Sequence, residues 1–300
     1  MPKRENSLDK IEKEEYKSIN EYAYMLYKGE GIEKDVKEAY KLFGKAAEMG
    51  DNYAMFWLGA ICENEEECLS PDEGFEWFLK AAKNGYAPAQ FQIGYHYLHG
   101  VYVEQNYYQA YKWFMLSAIQ GYPHSQNSVG TMYLRGQVKF EEWYTQNSNT
   151  IDGMHNEYDS EKNQRMGHRW LLKSARQRHP SGLYNLAGMY LHGVYVDKDE
   201  QLAISLYRIA NDIGGTGTRA LDMLNKLGTG IRAQEDDYAR FENIFVDMDD
   251  SDMDEEPPVE MFNYILGTQK LSFPEMTEDD ELQIINIAND ECKREQPKEQ

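Results

Sequence analysis

Lys45-Ala46-Ala47-Glu48-Met49-Gly50 returns 35 residues later as Lys80-Ala81-Ala82-Lys83-Asn84-Gly85. The same ending recurs in weaker form at Ser117-Ala118-Ile119-Gln120-Gly121, at Ser174-Ala175 and at Ala210-Asn211-Asp212-Ile213-Gly214. The glycines fall 35 and 36 residues apart, then 93 apart to Gly214 across one insertion. A period of about 20–50 residues is the signature of a stacked repeat array. Each unit of such an array touches only its neighbours, so the core grows linearly. The product is a long surface with few enclosed pockets, which directs the functional reading toward binding.

Working outward from the ending, the first half of each unit has helical spacing. Ala54, Leu58, Gly59 and Cys62 align with Ala89, Ile93, Gly94 and Tyr97. They align again with Ser125, Val129, Gly130 and Tyr133, and with Gly182, Leu186, Ala187 and Tyr190. Repeat one supplies Ser18, Tyr22, Ala23 and Leu26. Offsets of four and three share one helical face. A small residue at the central position permits close helix approach, which must offset about 1 kcal/mol for a glycine inside a helix. Gly29, Gly100, Gly136 and Gly193 then stand where a left-handed C-terminal residue is needed, with Asn64 in the second unit.

A second helix opens each time on Asp35, Ser70, Asn106, Asn163 or Asp199. All five are strong N-cap residues, and Glu38, Glu73 and Gln109 three places on suit capping boxes. That helix carries Ala39, Gly74, Ala110, Gly167 and Ala203. Leu42, Trp77, Trp113, Trp170 and Leu206 follow three later, then Ala46, Ala81, Ser117, Ser174 and Ala210. Large residues beside small ones are expected to interlock stacked helical hairpins.

This pattern resembles the Sel1-like repeat, a relative of the tetratricopeptide repeat. It reads Ala-x-x-x-Leu-Gly-x-x-Tyr-x-x-Gly, a loop, a cap, then Ala-x-x-Trp-x-x-x-Ala-Ala-x-x-Gly. The resemblance covers residues 16–214, in units of about 16–50, 51–85, 86–121, 122–178 and 179–214. It implies an all-α fold, an α/α superhelical solenoid acting as a scaffold or adaptor. Repeat two departs by placing Glu65-Glu66-Glu67 in its loop, and repeat four by an insertion over 140–160. In such superhelices the first helices line the concave face. That placement implies a protein-binding surface at Asn20, Tyr24, Tyr27, Phe56, Phe91, Tyr95, Asn127 and Tyr184. Tyr24, Phe56, Phe91, Tyr95 and Tyr184 lie off the core stripe and form a candidate aromatic track, although rings at this spacing also suit packing between repeats. Aromatics with Asn suit an extended peptide or a partner helix.

Residues 1–15 read as an N-terminal extension. Residues 215–246 read as capping helices, with Arg219–Gly228 as an incomplete sixth unit. A helix over 236–245 should present Tyr238, Phe241, Ile244 and Phe245. Residues 247–300 form an acidic tail. The chain carries a net charge of −21, and residues 231–300 alone hold 21 Asp/Glu against 6 Lys/Arg. Seven acids in the ten residues from Asp247 to Glu256, followed by Pro257-Pro258, do not suit independent folding. A calcium loop from Asp250 fails, with Glu255 where the turn needs glycine and Met261 where a bidentate Glu belongs. Ser251 among acids suits an acid-directed kinase. The inserted Phe140, Trp143 and Tyr144 suit contact more than a bare spacer.

The acidic balance argues against direct nucleic-acid partners, which require clustered Lys/Arg. No apolar leader follows Met1 and no stretch approaches about 18 apolar residues. With three cysteines, Cys62, Cys68 and Cys292, the expectation is a reduced, cytoplasmic or nuclear protein, monomeric in isolation. A local Cys62–Cys68 disulfide is the alternative. No nucleotide, nucleophile or zinc-protease motif is present. His99 and His192 share a repeat position just before the turn glycine and read as surface residues rather than metal ligands. No cofactor is expected. The leading reading is a non-catalytic scaffold. The alternatives are a regulator or inhibitor acting through the acidic tail, and an enzyme without a recognisable motif.

Overall fold

In the computed structural model of this chain, the described residues are 19–64, 71–137 and 160–246. They form helices without strands. In chain order these are α1 (described over 19–28), α2 (Val36–Glu48), α3 (Asn52–Asn64), α4 (Pro71–Lys83), α5 (Ala87–His99) and α6 (Tyr107–Ala118). They continue as α7 (Pro123–Leu134), α8 (Ser160–Arg176), α9 (Pro180–His192), α10 (Glu200–Ile213), α11 (Arg219–Lys226) and α12 (Glu235–Asn243). The architecture is the expected all-α repeat solenoid. Two compact units meet in sequence at Asn106 and Tyr107.

Local chemistry sets the helix ends. The Asp35 carboxylate accepts the Glu38 N–H at 2.9 Å, and Asp199 accepts that of Leu202 at 2.9 Å. Each satisfies one orphan donor of a first turn. Gly100 and Gly193 close α5 and α9 with φ of 69° and 64°, a conformation glycine adopts without a Cβ clash. Asn163 is a correction. Helix α8 already begins at Ser160, so Asn163 lies inside its first turn and caps nothing. Aligning caps at a fixed repeat position missed this because the end of the insertion is itself helical. Ser70 lies outside the described residues, as does the insertion apart from Ser160.

The central glycines act as expected. In the first unit a Cβ on Gly59 would stand 2.9 Å from the Phe78 ring, and one on Gly74 would stand 3.1 Å from the Gly59 carbonyl. In the second, a Cβ on Gly130 would stand 2.9 Å from Leu171 and 3.0 Å from the Gly167 carbonyl. Backbones therefore cross at distances that any side chain would forbid. The filling residue, however, is not the tryptophan. Phe43, Phe78, Phe114 and Leu171, each one place after the Leu/Trp position, are fully buried, and in repeat five Leu206 at the Leu/Trp position itself is fully buried together with Tyr207. Each such ring or isobutyl group contributes roughly 2–3 kcal/mol on burial. Trp77 and Trp113 are only half-buried, and Lys80 Nζ lies 4.9 Å over the Trp77 ring. Trp170 alone of the three is buried.

Glutamines tie neighbouring helices within each unit. Gln90 Nε2 on α5 donates to the Ala82 carbonyl at 3.1 Å, and Gln126 Nε2 on α7 donates to that of Ala118 at 3.2 Å. Both acceptors belong to the last turn of the preceding helix, where each carbonyl also accepts from the turn glycine, Gly85 N–H or Gly121 N–H, at 3.0 Å. Arg178 adopts φ 57° at the inter-repeat turn where other units have Gly50, Gly85 and Gly121. Its guanidinium bonds Glu242 at 3.2 Å and lies 5.7 Å over Tyr238. At the end of the second unit, Asp237 is 1% exposed and fastens α12 to α10. It accepts from Ser205 Oγ at 2.6 Å, from the Gln234 N–H at 2.9 Å and from Arg208 at 3.3 Å. Burial alone would raise its pKa, but these hydrogen bonds and the Arg208 charge hold it below the usual value.

Candidate interaction surface

The first helices were expected to show their off-stripe residues to solvent. In the first unit most do not. Trp57 of α3 gathers Tyr24 at 5.1 Å, Tyr27 at 5.5 Å, Phe43 at 6.2 Å, Tyr53 at 6.0 Å and Phe56 at 5.7 Å between ring centroids. Tyr24, Tyr27 and Phe56 are consequently buried, and the expectation that they line an open track is corrected. Asn20 is buried too. Its Nδ2 donates to Asp51 Oδ1 at 3.2 Å, the same oxygen that caps α3 through the Ala54 N–H. Asn20, Tyr24 and Tyr27 lie on the face of α1 turned toward α3, with Glu21, Tyr22 and Met25 exposed instead, and α3 itself is buried around its whole circumference from Ala54 to Cys62. A helix enclosed on all sides has no outward stripe. Cys62 is part of this buried run, while Cys68 lies outside the described residues.

Phe91 and Tyr95 of α5 differ, being only half-buried, and Tyr95 lies 4.3 Å from the His99 ring. Beneath them sits a cluster that the repeat pattern did not reveal. His96 is 2% exposed, and its Nε2 stands 2.9 Å from Glu63 Oε1. Phe75, Phe78 and Tyr102 surround the imidazole at 5.6, 6.0 and 5.3 Å. Tyr102 takes a left-handed φ of 60° where Gly31 takes 74° in repeat one. Burial, then the Glu63 and Asp72 charges, push its hydroxyl above the usual tyrosine pKa. The available signal was register: His96 stands where other units have Met25, Ile61, Met132 and Met189.

In the second unit Asn127 of α7 and Tyr184 of α9 are half-buried. Asn185 Nδ2, also of α9, donates to Asn127 Oδ1 at 2.8 Å. The Tyr184 ring packs 5.2 Å from Tyr207, and the Arg219 guanidinium lies 5.4 Å over it. An amide pair of this kind leaves one Asn127 donor group and one Asn185 acceptor uncommitted to each other. The two first helices thus present a polar rung beside an aromatic ring. Asn185 was not among the expected residues. Its partner lies 58 positions away, beyond any local pattern.

Two further buried groups test for chemistry. Ser174 Oγ donates to the Pro123 carbonyl at 2.8 Å and lies 3.1 Å from His179 Nδ1, while His179 Nε2 stands 3.1 Å from His124 Nδ1. The order Ser-His-His invites a nucleophile reading. His179 Nδ1 is instead the N-cap acceptor for the Gly182 N–H at 3.2 Å, which assigns its proton to Nε2 and makes that atom the donor to His124. Ser174 is 0% exposed, so no substrate reaches its oxygen. Burial lowers the His124 pKa to about 4, and burial, then the His124 neighbour, holds that of His179 well below the usual imidazole value. Neutral imidazoles here are structural. His168 of α8 is similar: it stands where repeats one to three have Tyr40, Phe75 and Tyr111, lies under Tyr195, and is lowered to about 4 by burial and then by Arg169. His192 is exposed. Among the described residues no helix is long and apolar enough to cross a membrane, and no group of three His, Cys, Asp or Glu is arranged for a metal.

Comparison with known proteins agrees with this architecture. The Sel1 repeat matches at residues 17–51, 52–86, 87–122, 153–179 and 180–214, over half of the chain. A Sel1 repeat protein from Oxalobacter formigenes superposes with a TM-score of 0.58 at 23% identity, covering 76% of this chain and 86% of that one. The c5321 protective antigen of uropathogenic Escherichia coli strains, which displays an SLR fold, gives 0.56 at 23% identity. That match covers 93% of this chain and 53% of the antigen. No curated protein matches the chain. Five matched repeats, the interlocked central glycines and these structural neighbours together make the chain a member of the Sel1 repeat family.

Proposed function

We propose that this protein is a non-catalytic scaffold that binds an extended segment of a partner protein along its first-helix faces. Proteins built of Sel1 repeats generally serve protein–protein interaction. The observation that carries the reading for this chain is the Asn185–Asn127 rung across α7 and α9. Peptide backbones offer alternating donors and acceptors, and side-chain amides match both. Tyr184, held between Tyr207 and Arg219, supplies a rigid ring of the kind that dominates binding energy. Phe91 and Tyr95 provide the corresponding contact in the first unit. A non-catalytic role is supported by the burial of Ser174, His179 and His168, the groups most suggestive of chemistry.

Affinity purification with quantitative mass spectrometry of the full chain tests this. Asn127→Ala with Asn185→Ala is expected to reduce captured partners about tenfold, the loss of one or two interfacial hydrogen bonds, with the melting temperature nearly unchanged. An unchanged partner set at unchanged stability refutes the rung as a binding element.

A further inference from the structure

The Asn127–Asn185 rung is not the only tie between α7 and α9. His124, in the first turn of α7, is hydrogen-bonded to His179, the N-cap of α9. The two rings stand 4.2 Å apart between centroids at 68°, and His179 is buried. Acceptors fix where the protons of this pair lie. His179 Nδ1 accepts the Gly182 N–H at 3.2 Å, so the His179 proton is on Nε2 and is donated to His124 Nδ1 at 3.1 Å. The neutral His124 then carries its own proton on Nε2. Ser174 gives its proton to the Pro123 carbonyl. A further proton has two places to go. On His179 Nδ1 it meets the Gly182 N–H, and on His124 Nδ1 it meets the His179 N–H. In either place two donors face each other where a donor faced an acceptor, and the contact must part.

The described groups around the pair do not welcome an imidazolium. Neither α7 nor α9 has an acid in its first turn, and both rings sit at helix N-termini, whose partial positive charge disfavours a cation. Tyr122 lies 5.1 Å from His124, in the turn before α7. From α8 and the turn after it come Ser174 and Gln177, the latter bonded to Gln126 of α7. The last carbonyls of α8 are engaged by the turn, Ala175 by the Arg178 N–H and Ser174 by the His179 N–H. The neighbouring charges are cations held elsewhere: Lys173 lies over Trp170, Arg176 over Phe245, and Arg178 bonds Glu242.

We propose that the His124–His179 pair is an acid-released latch between α7 and α9, closed while both imidazoles are neutral and opened when they take up protons. The closed pair binds fewer protons than the open one, since burial lowers His124 from 6.5 to about 4 and holds His179 well below 6.5. Closure is therefore fully favoured above about pH 6.5 and weakens as pH falls toward 4. If each ring regains an ordinary pKa near 6.5 on opening, the open population rises about 500-fold from pH 7 to pH 5, against about 25-fold for one ring alone. Helix α9 carries Tyr184 and Asn185, and α7 carries Asn127, so opening loosens the face assigned to the partner segment. That consequence rests on the peptide-binding reading. The latch itself does not, and its test uses no partner, so the two can fail separately.

Residue-resolved amide exchange of the full chain at pH 7 and pH 5 tests the latch, with protection taken relative to the unstructured rate at each pH. The Gly182 and Leu183 amides are bonded to His179 Nδ1 and to the His179 carbonyl. Their protection should fall about 500-fold, or vanish if it starts lower. His124→Asn keeps an acceptor for the His179 N–H and removes one titration, so the fall should shrink to about 25-fold. His124→Asn with His179→Asn also keeps an N-cap acceptor, and protection should then change by less than about twofold. If a variant fails to fold, the imidazole nitrogen chemical shifts of the unaltered chain decide: both rings should take up protons only where Gly182 protection is already lost. Protonation of either ring above about pH 5 with Gly182 still protected overturns the proposal. Protection that is unchanged between the two pH values, or an equal fall in the parent and the double variant, overturns it as well.

Discussion

Lowering the pH from 7 to 5 is expected to strip stability from the second unit, and His168 provides a way to measure its share. Its imidazole is 8% exposed, and burial followed by the Arg169 charge lowers its pKa from 6.5 to about 4. Between those values the unfolded chain binds more protons than the folded one, so stability rises with pH. The contribution is complete above about pH 6.5 and is lost progressively as pH falls toward 4. Linkage between 6.5 and about 4 gives a loss of about 2 kcal/mol from pH 7 to pH 5 for this one group. His168→Phe removes the titration and keeps an aromatic ring of similar size, as Phe75 shows at the equivalent place in α4. Urea denaturation at pH 7 and pH 5 reads the difference, because the variant should lose about 2 kcal/mol less than the parent across that interval. His124 and His179 keep their own contribution in both proteins. Equal losses in parent and variant would refute the reasoning. A larger loss in the variant would show that the Tyr190 and Tyr195 rings stabilise an imidazolium.

The glycines offer a test of opposite signs. Gly130→Ala meets Leu171 and a backbone carbonyl within 3.0 Å and should cost about 1–3 kcal/mol, whereas Gly44→Ala meets nothing within 4 Å and should gain up to about 1 kcal/mol. Shifts of the same sign in the melting temperature would contradict the packing described. Asp237→Asn removes the charge that holds Ser205, Arg208 and the N-terminus of α12 together. About 3 kcal/mol lost from a buried pair should speed amide exchange in α12 about a hundredfold and leave α2–α4 unaffected. Unchanged protection of α12 would place its anchoring elsewhere.

Much of the fold was legible in residues whose effect is local. Asp35 and Asp199 cap the helices that follow them, and Gly100 and Gly193 end the helices before them, because those preferences are decided within four or five residues of chain. Repetition of such signals at a fixed period then announced the stacked pairs. Asn163 is where the repeat register and the structure part, because α8 already includes Ser160 and Glu161 and Asn163 therefore sits inside the helix.

The candidate surface was legible only in part. Phe91, Tyr95, Asn127 and Tyr184 keep some exposure, while Asn20, Tyr24, Tyr27 and Phe56 do not. Helical spacing tells which residues share a face, but not how many neighbours enclose the helix. The first unit encloses α3 completely around Trp57, and only packing reveals that. The Glu63–His96 contact and the Asn127–Asn185 rung join side chains 33 and 58 residues apart, where no propensity operates. By itself, then, the sequence determined that this chain is a Sel1-type array of capped helix pairs, since caps, turn glycines and small central residues act over a few bonds or a single helix crossing. Only the tertiary structure decided which faces meet solvent and which polar groups meet each other, since burial belongs to the assembled helices and to none of them alone.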